Sequence, residues 1–212
     1  MTLYKGRERF SGLSVKVGIA FSKLGLSPNQ WTVISLVPAL IAVYFLIRQD
    51  YLFTALFFLL AVFIDLVDGS VARVTGRVTR LGAYLDTIID RYVEGIIIAG
   101  LFFVPFPQLN IPYLPIQLPM QLWLFTYFFG ALTTTYAKAA AKEKNIFKEK
   151  ELRGGLLERP ERLIILLLGF VLAHFDVFYL SVIIVLLAFL TNLSAIHRIL
   201  IAYRESRKEP NI

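Results

Sequence analysis

The sequence predicts an all-α integral membrane protein, with six transmembrane helices preceded by an N-terminal amphipathic surface helix. Three observations carry that expectation. Hydrophobic residues make up 57% of the chain, and its mean hydropathy of +0.67 lies far above that of a soluble globular domain. Long apolar runs recur between short polar or proline-rich breaks. Six such runs put both termini on one side, and all 22 Lys and Arg residues except Arg48 then fall on or near that side. The positive-inside rule makes it the cytoplasmic face of the cell membrane.

Residues 4–22 set Lys5, Arg7, Arg9 and Lys16 among apolar side chains, the pattern of a helix lying on the membrane surface. No apolar stretch with a small-residue cleavage site follows the charged N-terminus, so no signal peptide is expected. Gly25 and Ser27-Pro28-Asn29 break the chain before an apolar run from Trp31 to Ile47, the first span. Gln49 and Asp50 turn it into a second run from Tyr51 through Ile64, whose helical spacing continues to Ala72. A basic link containing Arg73, Arg77 and Arg80 leads to a third helix from Gly82 to Val104.

Residues 105–119 hold five prolines and no charge, the mark of a rigid connection rather than a span. The fourth span runs from Met120 to Ala139 and carries Lys138 at its end. A strongly charged loop follows. The fifth span, Leu163 to Ala173, is short unless the helix begins at Pro160, a residue favoured in a first helical turn. Asp176 is expected to be a solvated turn residue before the sixth span, Val177 to Ile201. The expected division is therefore a surface segment at 1–25, a six-helix domain at 26–204 and a polar tail at 205–212.

Cysteine is absent, which excludes disulfides, thiolate chemistry and Cys-based zinc sites. The net charge of +7 is accounted for by membrane sidedness, so no nucleic acid partner is expected.

The chemistry concentrates between Asp65 and Asp90. Asp65 and Asp68 are three apart and Asp86 and Asp90 four apart, so each pair points from one face of its helix. Helical rise separates Asp86 from Asp90 by about 6 Å along the axis. Two helices joined by the short segment 74–83 bring all four carboxylates towards one centre, where their repulsion calls for a cation. Magnesium or manganese accepts carboxylates and substrate phosphates together, and a two-metal centre stabilises both attacking and leaving oxygens. At the edge of a membrane the substrate is then expected to be a phosphate-bearing amphiphile. Arg73 and its basic neighbours are placed to take phosphate charge.

The series Asp65-x2-Asp68-Gly69-x2-Ala72-Arg73-x8-Gly82-x3-Asp86-x3-Asp90 resembles the complete signature of the CDP-alcohol phosphotransferase family. The Ser27-Pro28-Asn29-Gln30-Trp31-Thr32 segment is similar to the one before that family's first span. The resemblance extends over nearly the whole chain. It implies transfer of a phosphoalcohol from a CDP-linked lipid donor to a hydroxyl acceptor, with release of CMP, and it implies a homodimer. It further implies that Asp65, Asp68 and Asp86 are metal ligands. Asp90 would be near or on the second of two ions and act as general base. Asp68, Gly69, Ala72, Arg73 and Gly82 would line the nucleotide pocket.

The acceptor is sought among basic residues on other helices: Lys138, Arg153, Arg159, Arg162 and Arg198. Several fixed cations suit an acceptor that is itself a phosphate ester. Gly154-Gly155-Leu156-Leu157-Glu158-Arg159-Pro160-Glu161-Arg162, with Tyr136-Ala137-Lys138 upstream, is similar to the branch that makes phosphatidylinositol phosphate or its archaeal ether-lipid equivalent. That similarity implies inositol 1-phosphate as acceptor, bound by Lys138, Arg159 and Arg198, with Arg153 and Arg162 as further candidates. Glycerol 3-phosphate and, with fewer cations, serine are the rival acceptors. A divalent-cation transporter is the reading from a different class. It requires acidic groups near the membrane midplane, whereas these aspartates gather at one surface.

Overall fold

The computed structural model describes residues 7–108, 118–146 and 157–207, and eight helical elements lie among them. They are α1 (Arg7–Ser22), α2 (Pro28–Ile34), α3 (Leu36–Ile47), α4 (Tyr51–Val74), α5 (Arg80–Leu101), α6 (Met120–Glu143), α7 (Arg159–Ala173) and α8 (Val177–Ser206). α2 and α3 follow one another as a 20-residue apolar segment, interrupted at Ser35.

The expectation of six spans is corrected. Three helices among the described residues are long and apolar enough to cross a membrane: Pro28–Ile47, Tyr51–Val74 and Val177–Ser206. The other three candidates fall short for separate reasons. α5 carries Arg80, Asp86, Asp90, Arg91 and Glu94 along its length. α6 dilutes its aliphatic residues with Gln121, Thr126 and the threonines at 133–135 before reaching its lysines. α7 has 15 residues, which at helical rise reach about 22 Å against a hydrocarbon core of about 30 Å. The expected surface helix is also less polarised than its sequence suggested. Val17 and Phe21 of α1 pack inward while Val15 and Ile19 are exposed, so apolar residues occupy opposite faces.

The chain divides into two compact units, Met1–Leu101 and Phe102–Ile212. In the first, α1 and α2 pack against α4, burying Trp31 with Ile64, Val67 and Val71 and gathering Val17, Phe21, Leu26 and Ile34 around them. The Phe21 ring meets Trp31 edge-on at 5.4 Å. A second cluster joins α3, α4 and α5 through Ala39, Ala61 and Val93, small residues that let the helix backbones approach closely.

In the second unit α6 and α8 meet along a polar seam. Thr134 Oγ1 lies 3.2 Å from the Thr191 carbonyl, and Asn192 Nδ2 donates to the Thr126 carbonyl at 2.8 Å. Gly130 faces this seam so closely that a Cβ there would lie 2.5 Å from both Thr191 Oγ1 and Asn192 Nδ2. Pro160 does sit in the first turn of α7, which Glu158 and Glu161 close as a capping box. Asp176 does more than occupy a solvated turn: its carboxylate accepts from Phe178 N at 2.8 Å and caps α8.

Candidate active site

The two carboxylate pairs are joined by a connection in which almost every residue has an identifiable task. α4 ends at Val74 with Thr75 as its C-cap, and Gly76 follows at φ +65°. Gly76 N then donates to the Arg73 carbonyl and Arg77 N to the Ala72 carbonyl, the paired bonds of a Schellman ending. The positive φ suits a residue without a Cβ. Three residues later the Thr79 hydroxyl accepts from Gly82 N at 2.9 Å and starts α5. The hairpin is thus fixed at both ends by hydrogen bonds, and the aspartates on either side inherit a fixed relation.

Asp65, Asp68 and Asp86 converge, each offering a carboxylate oxygen within 4.8 Å of the others. Ligand oxygens around a magnesium-sized ion lie about 2.1 Å from it, hence at most about 4.2 Å apart. The observed spread needs only a small contraction, and an all-oxygen donor set suits magnesium or manganese. Asp90 is one helical turn further along α5, 9% exposed, and stands outside this group of three.

Asp68 is 5% exposed, and its Oδ2 accepts from the Thr32 hydroxyl. Thr32 is itself buried on α2, a helix whose start is fixed by the Ser27–Gln30 capping box. A cleft of about 330 Å³ opens beside the carboxylates. Asp68, Gly69, Ala72, Arg73 and Gly82, all expected at the nucleotide, line it together with Asp86. Asn29, Thr32, Arg77 and Thr79 line it as well. Of these, Arg77 had been read as part of a basic link, Asn29 and Thr32 had been named only within the segment ahead of the first span, and Thr79 had not been named. A usable signal existed for two of the others, since Asn29 and Thr32 are polar residues three apart at the head of an apolar helix. Gly82 gives Asn29 its place, because a Cβ at 82 would lie 3.0 Å from Asn29 Oδ1.

The basic candidates lie in the second unit and divide by environment. Lys138 is exposed, Arg159 half-buried and Arg162 1% exposed. Arg198, 7% exposed, donates to the Thr134 carbonyl at 2.9 Å and lies 3.8 Å from Glu158 Oε1. Thr134 is one turn before Lys138, and Glu158 immediately precedes Arg159. Arg198 therefore ties together the places from which both other candidates project. Glu158 had not been singled out by sequence reasoning. Arg153 lies outside the described residues.

Comparison with known proteins gives a coherent answer. The chain is 27% identical over 154 residues to the archaetidylinositol phosphate synthase of Pyrococcus horikoshii, covering 73% of this chain and 74% of that one. It is 33% identical over 167 residues to the phosphatidylinositol phosphate synthase of Mycolicibacterium smegmatis, covering 77% and 69%. Among solved structures it resembles the phosphatidylinositol phosphate synthase of Mycobacterium tuberculosis at 26% identity. With CDP-DAG bound, that structure gives a TM-score of 0.73 over 90% of this chain and 93% of that one. The same enzyme with manganese and citrate gives 0.74 over 90% and 88%. The model of the CDP-alcohol phosphatidyltransferase family matches residues 26–202, from the segment ahead of α2 to the last turns of α8. Because that match takes in both helices that carry the aspartates and the turn between them, this chain belongs to the CDP-alcohol phosphatidyltransferase family.

Proposed function

We propose that this enzyme transfers a phosphatidyl-type group, built on diacylglycerol or archaeol, from a CDP-linked lipid to inositol 1-phosphate and releases CMP. The observation that carries this reading is the convergence of Asp65, Asp68 and Asp86 beside a cleft lined by Gly69, Ala72, Arg73 and Gly82. Support for the donor comes from the mycobacterial relative, whose structure holds CDP-DAG. Support for the acceptor comes from relatives that are synthases of phosphatidylinositol phosphate or archaetidylinositol phosphate.

On this reading Asp65, Asp68, Asp86 and Asp90 hold magnesium or manganese, as two ions. When bound, the cations neutralise charge on the donor's diphosphate and on the oxygen that leaves with CMP. Asp68, Gly69, Ala72, Arg73 and Gly82 receive the nucleotide. The bare backbone at 69 and 82 allows close approach, and Arg73 meets phosphate charge. Asp90 accepts the proton of the attacking hydroxyl. A carboxylate beside a cation is a weak base at rest, so this transfer is concerted with attack, when the hydroxyl is most acidic. Lys138, Arg159 and Arg198, with Arg153 and Arg162 as further candidates, take the acceptor's phosphate. We place the turn between α4 and α5 on the cytoplasmic side, because Arg73, Arg77 and Arg80 surround it, and we read the working form as a homodimer.

The test is CMP release by purified protein from CDP-diacylglycerol in magnesium or manganese. Inositol 1-phosphate, glycerol 3-phosphate, serine and no acceptor are compared side by side. The expected result is release with inositol 1-phosphate alone, abolished by EDTA and lowered about a hundred- to a thousandfold by Asp86→Asn, the scale expected when a group that stabilises transition-state charge is lost. Release with glycerol 3-phosphate instead rejects the acceptor. EDTA-resistant release rejects the metal site.

A further inference from the structure

Arg73 leaves α4 within its last turn, and its guanidinium is held from several sides. One turn earlier is Gly69, where a Cβ would lie 3.2 Å from Nη1 and 3.7 Å from Nη2, so the bare backbone there gives the group its seat. Nη2 donates to Ser14 Oγ at 2.9 Å and approaches Ser70 Oγ at 3.3 Å. The two hydroxyl oxygens are 2.8 Å apart, and Ser70 donates to the Leu66 carbonyl at 2.8 Å. With the Ser70 proton committed to Leu66, Ser14 donates to Ser70. Both oxygens then keep a lone pair for the arginine, and each hydroxyl proton has an acceptor.

Ser14 belongs to α1, outside the family signature and outside the matched residues 26–202. One turn further along the same face, Gly18 brings α1 against α4. A Cβ at 18 would lie 2.6 Å from the Ser70 carbonyl oxygen and 2.7 Å from Val74 Cγ2. The Ser14 hydroxyl is therefore delivered to Arg73 by a helix contact that tolerates no side chain at its closest point.

We propose that Ser14 is a positioning residue for the nucleotide end of the donor. Through it, α1 fixes the guanidinium of Arg73 in the rotamer that faces the cleft. This rests on the reading of Arg73 as a nucleotide contact. A long side chain already ordered before binding loses less freedom when the ligand arrives, so the contact acts on affinity. An effect that reaches ground and transition states alike raises KM and leaves kcat unchanged.

The experiment measures CDP binding by calorimetry in manganese, together with kinetics at varied CDP-diacylglycerol, on purified variants whose thermal unfolding in detergent matches the parent. Ser14→Ala is expected to weaken CDP binding about five- to tenfold, within the scale of one ordinary hydrogen bond. It should raise the donor KM by the same factor, with kcat unchanged. Ser14→Thr, which keeps the hydroxyl, should restore both. In an Arg73→Ala background Ser14→Ala should add nothing, since its effect passes through that side chain. Equal losses with and without Arg73, a fall in kcat at unchanged KM, or unaltered CDP binding in Ser14→Ala would each overturn the proposal. If Arg73→Ala alone leaves CDP affinity unchanged, the reading of Arg73 itself fails, a result distinct from a failure of Ser14.

Discussion

Asp68 shows how much of the site depends on one hydroxyl. Its carboxylate is buried, and Thr32, from a helix 36 positions earlier in the chain, donates to Oδ2. If Asp68 ligates a metal as proposed, a partner of this kind orients the ligating oxygen, and losing it lowers metal affinity by about 10- to 100-fold. Thr32→Val keeps the side chain's shape and deletes the donor. Manganese titration of this variant should show that loss, followed by electron paramagnetic resonance of the free ion. Unchanged affinity would mean that Asp68 is oriented by its helix alone. The aspartates were legible in the sequence because their spacings of three and four match the helical period. Thr32 and Asn29 were legible only as polar residues at the head of the first apolar helix, because a contact between helices does not show which residue of another helix each one meets. The same limit applies to Arg198, whose acceptor on α6 is a backbone carbonyl that no side-chain pattern marks.

At the level of elements, helix positions followed closely from apolar runs and their breakers. Tyr51, Met120 and Val177 each begin a helix where the sequence placed one. The polarity of these helices was judged less well. Residues 133–135 were read as the interior of a span, yet Thr134 meets Thr191 across the α6–α8 seam. Trp123 and Tyr127 are buried, whereas Phe125 and Phe129 of the same helix are exposed. The seam makes a clear demand at Gly130. Asn192 Nδ2 and Thr191 Oγ1 are each tied to backbone carbonyls and have little room to retreat. Gly130→Ala is therefore expected to destabilise the protein by about 1–3 kcal/mol, as overpacking does. Gly12→Ala, where the added carbon meets nothing within 4 Å, is the control. Thermal unfolding in detergent compares them, and equal midpoints would remove the argument for a tight seam.

For the whole molecule, counting apolar runs gave the wrong number of spans, because each run was judged without asking what its helix carries. α5 is interrupted by Arg80, Asp86, Asp90, Arg91 and Glu94, and α7 is too short. Sidedness therefore rests on local charge around the turn between α4 and α5. A chain without cysteine makes that directly testable. Val78, exposed in this turn, can carry the single thiol of a Val78→Cys variant. A membrane-impermeant maleimide should label it in inside-out vesicles and leave it unlabelled in intact cells. Labelling in intact cells would place the turn outside.

The cleft itself has a kinetic consequence. At about 330 Å³ it is near the lower end of the roughly 300–1,000 Å³ that enclose a drug-sized ligand. On the function proposed above, that is room for a nucleotide headgroup, with hydrocarbon chains left in the surrounding lipid. Donor molecules then arrive by lateral diffusion in two dimensions, and the quantity that saturates the enzyme is their surface density in the bilayer rather than their amount per litre of suspension.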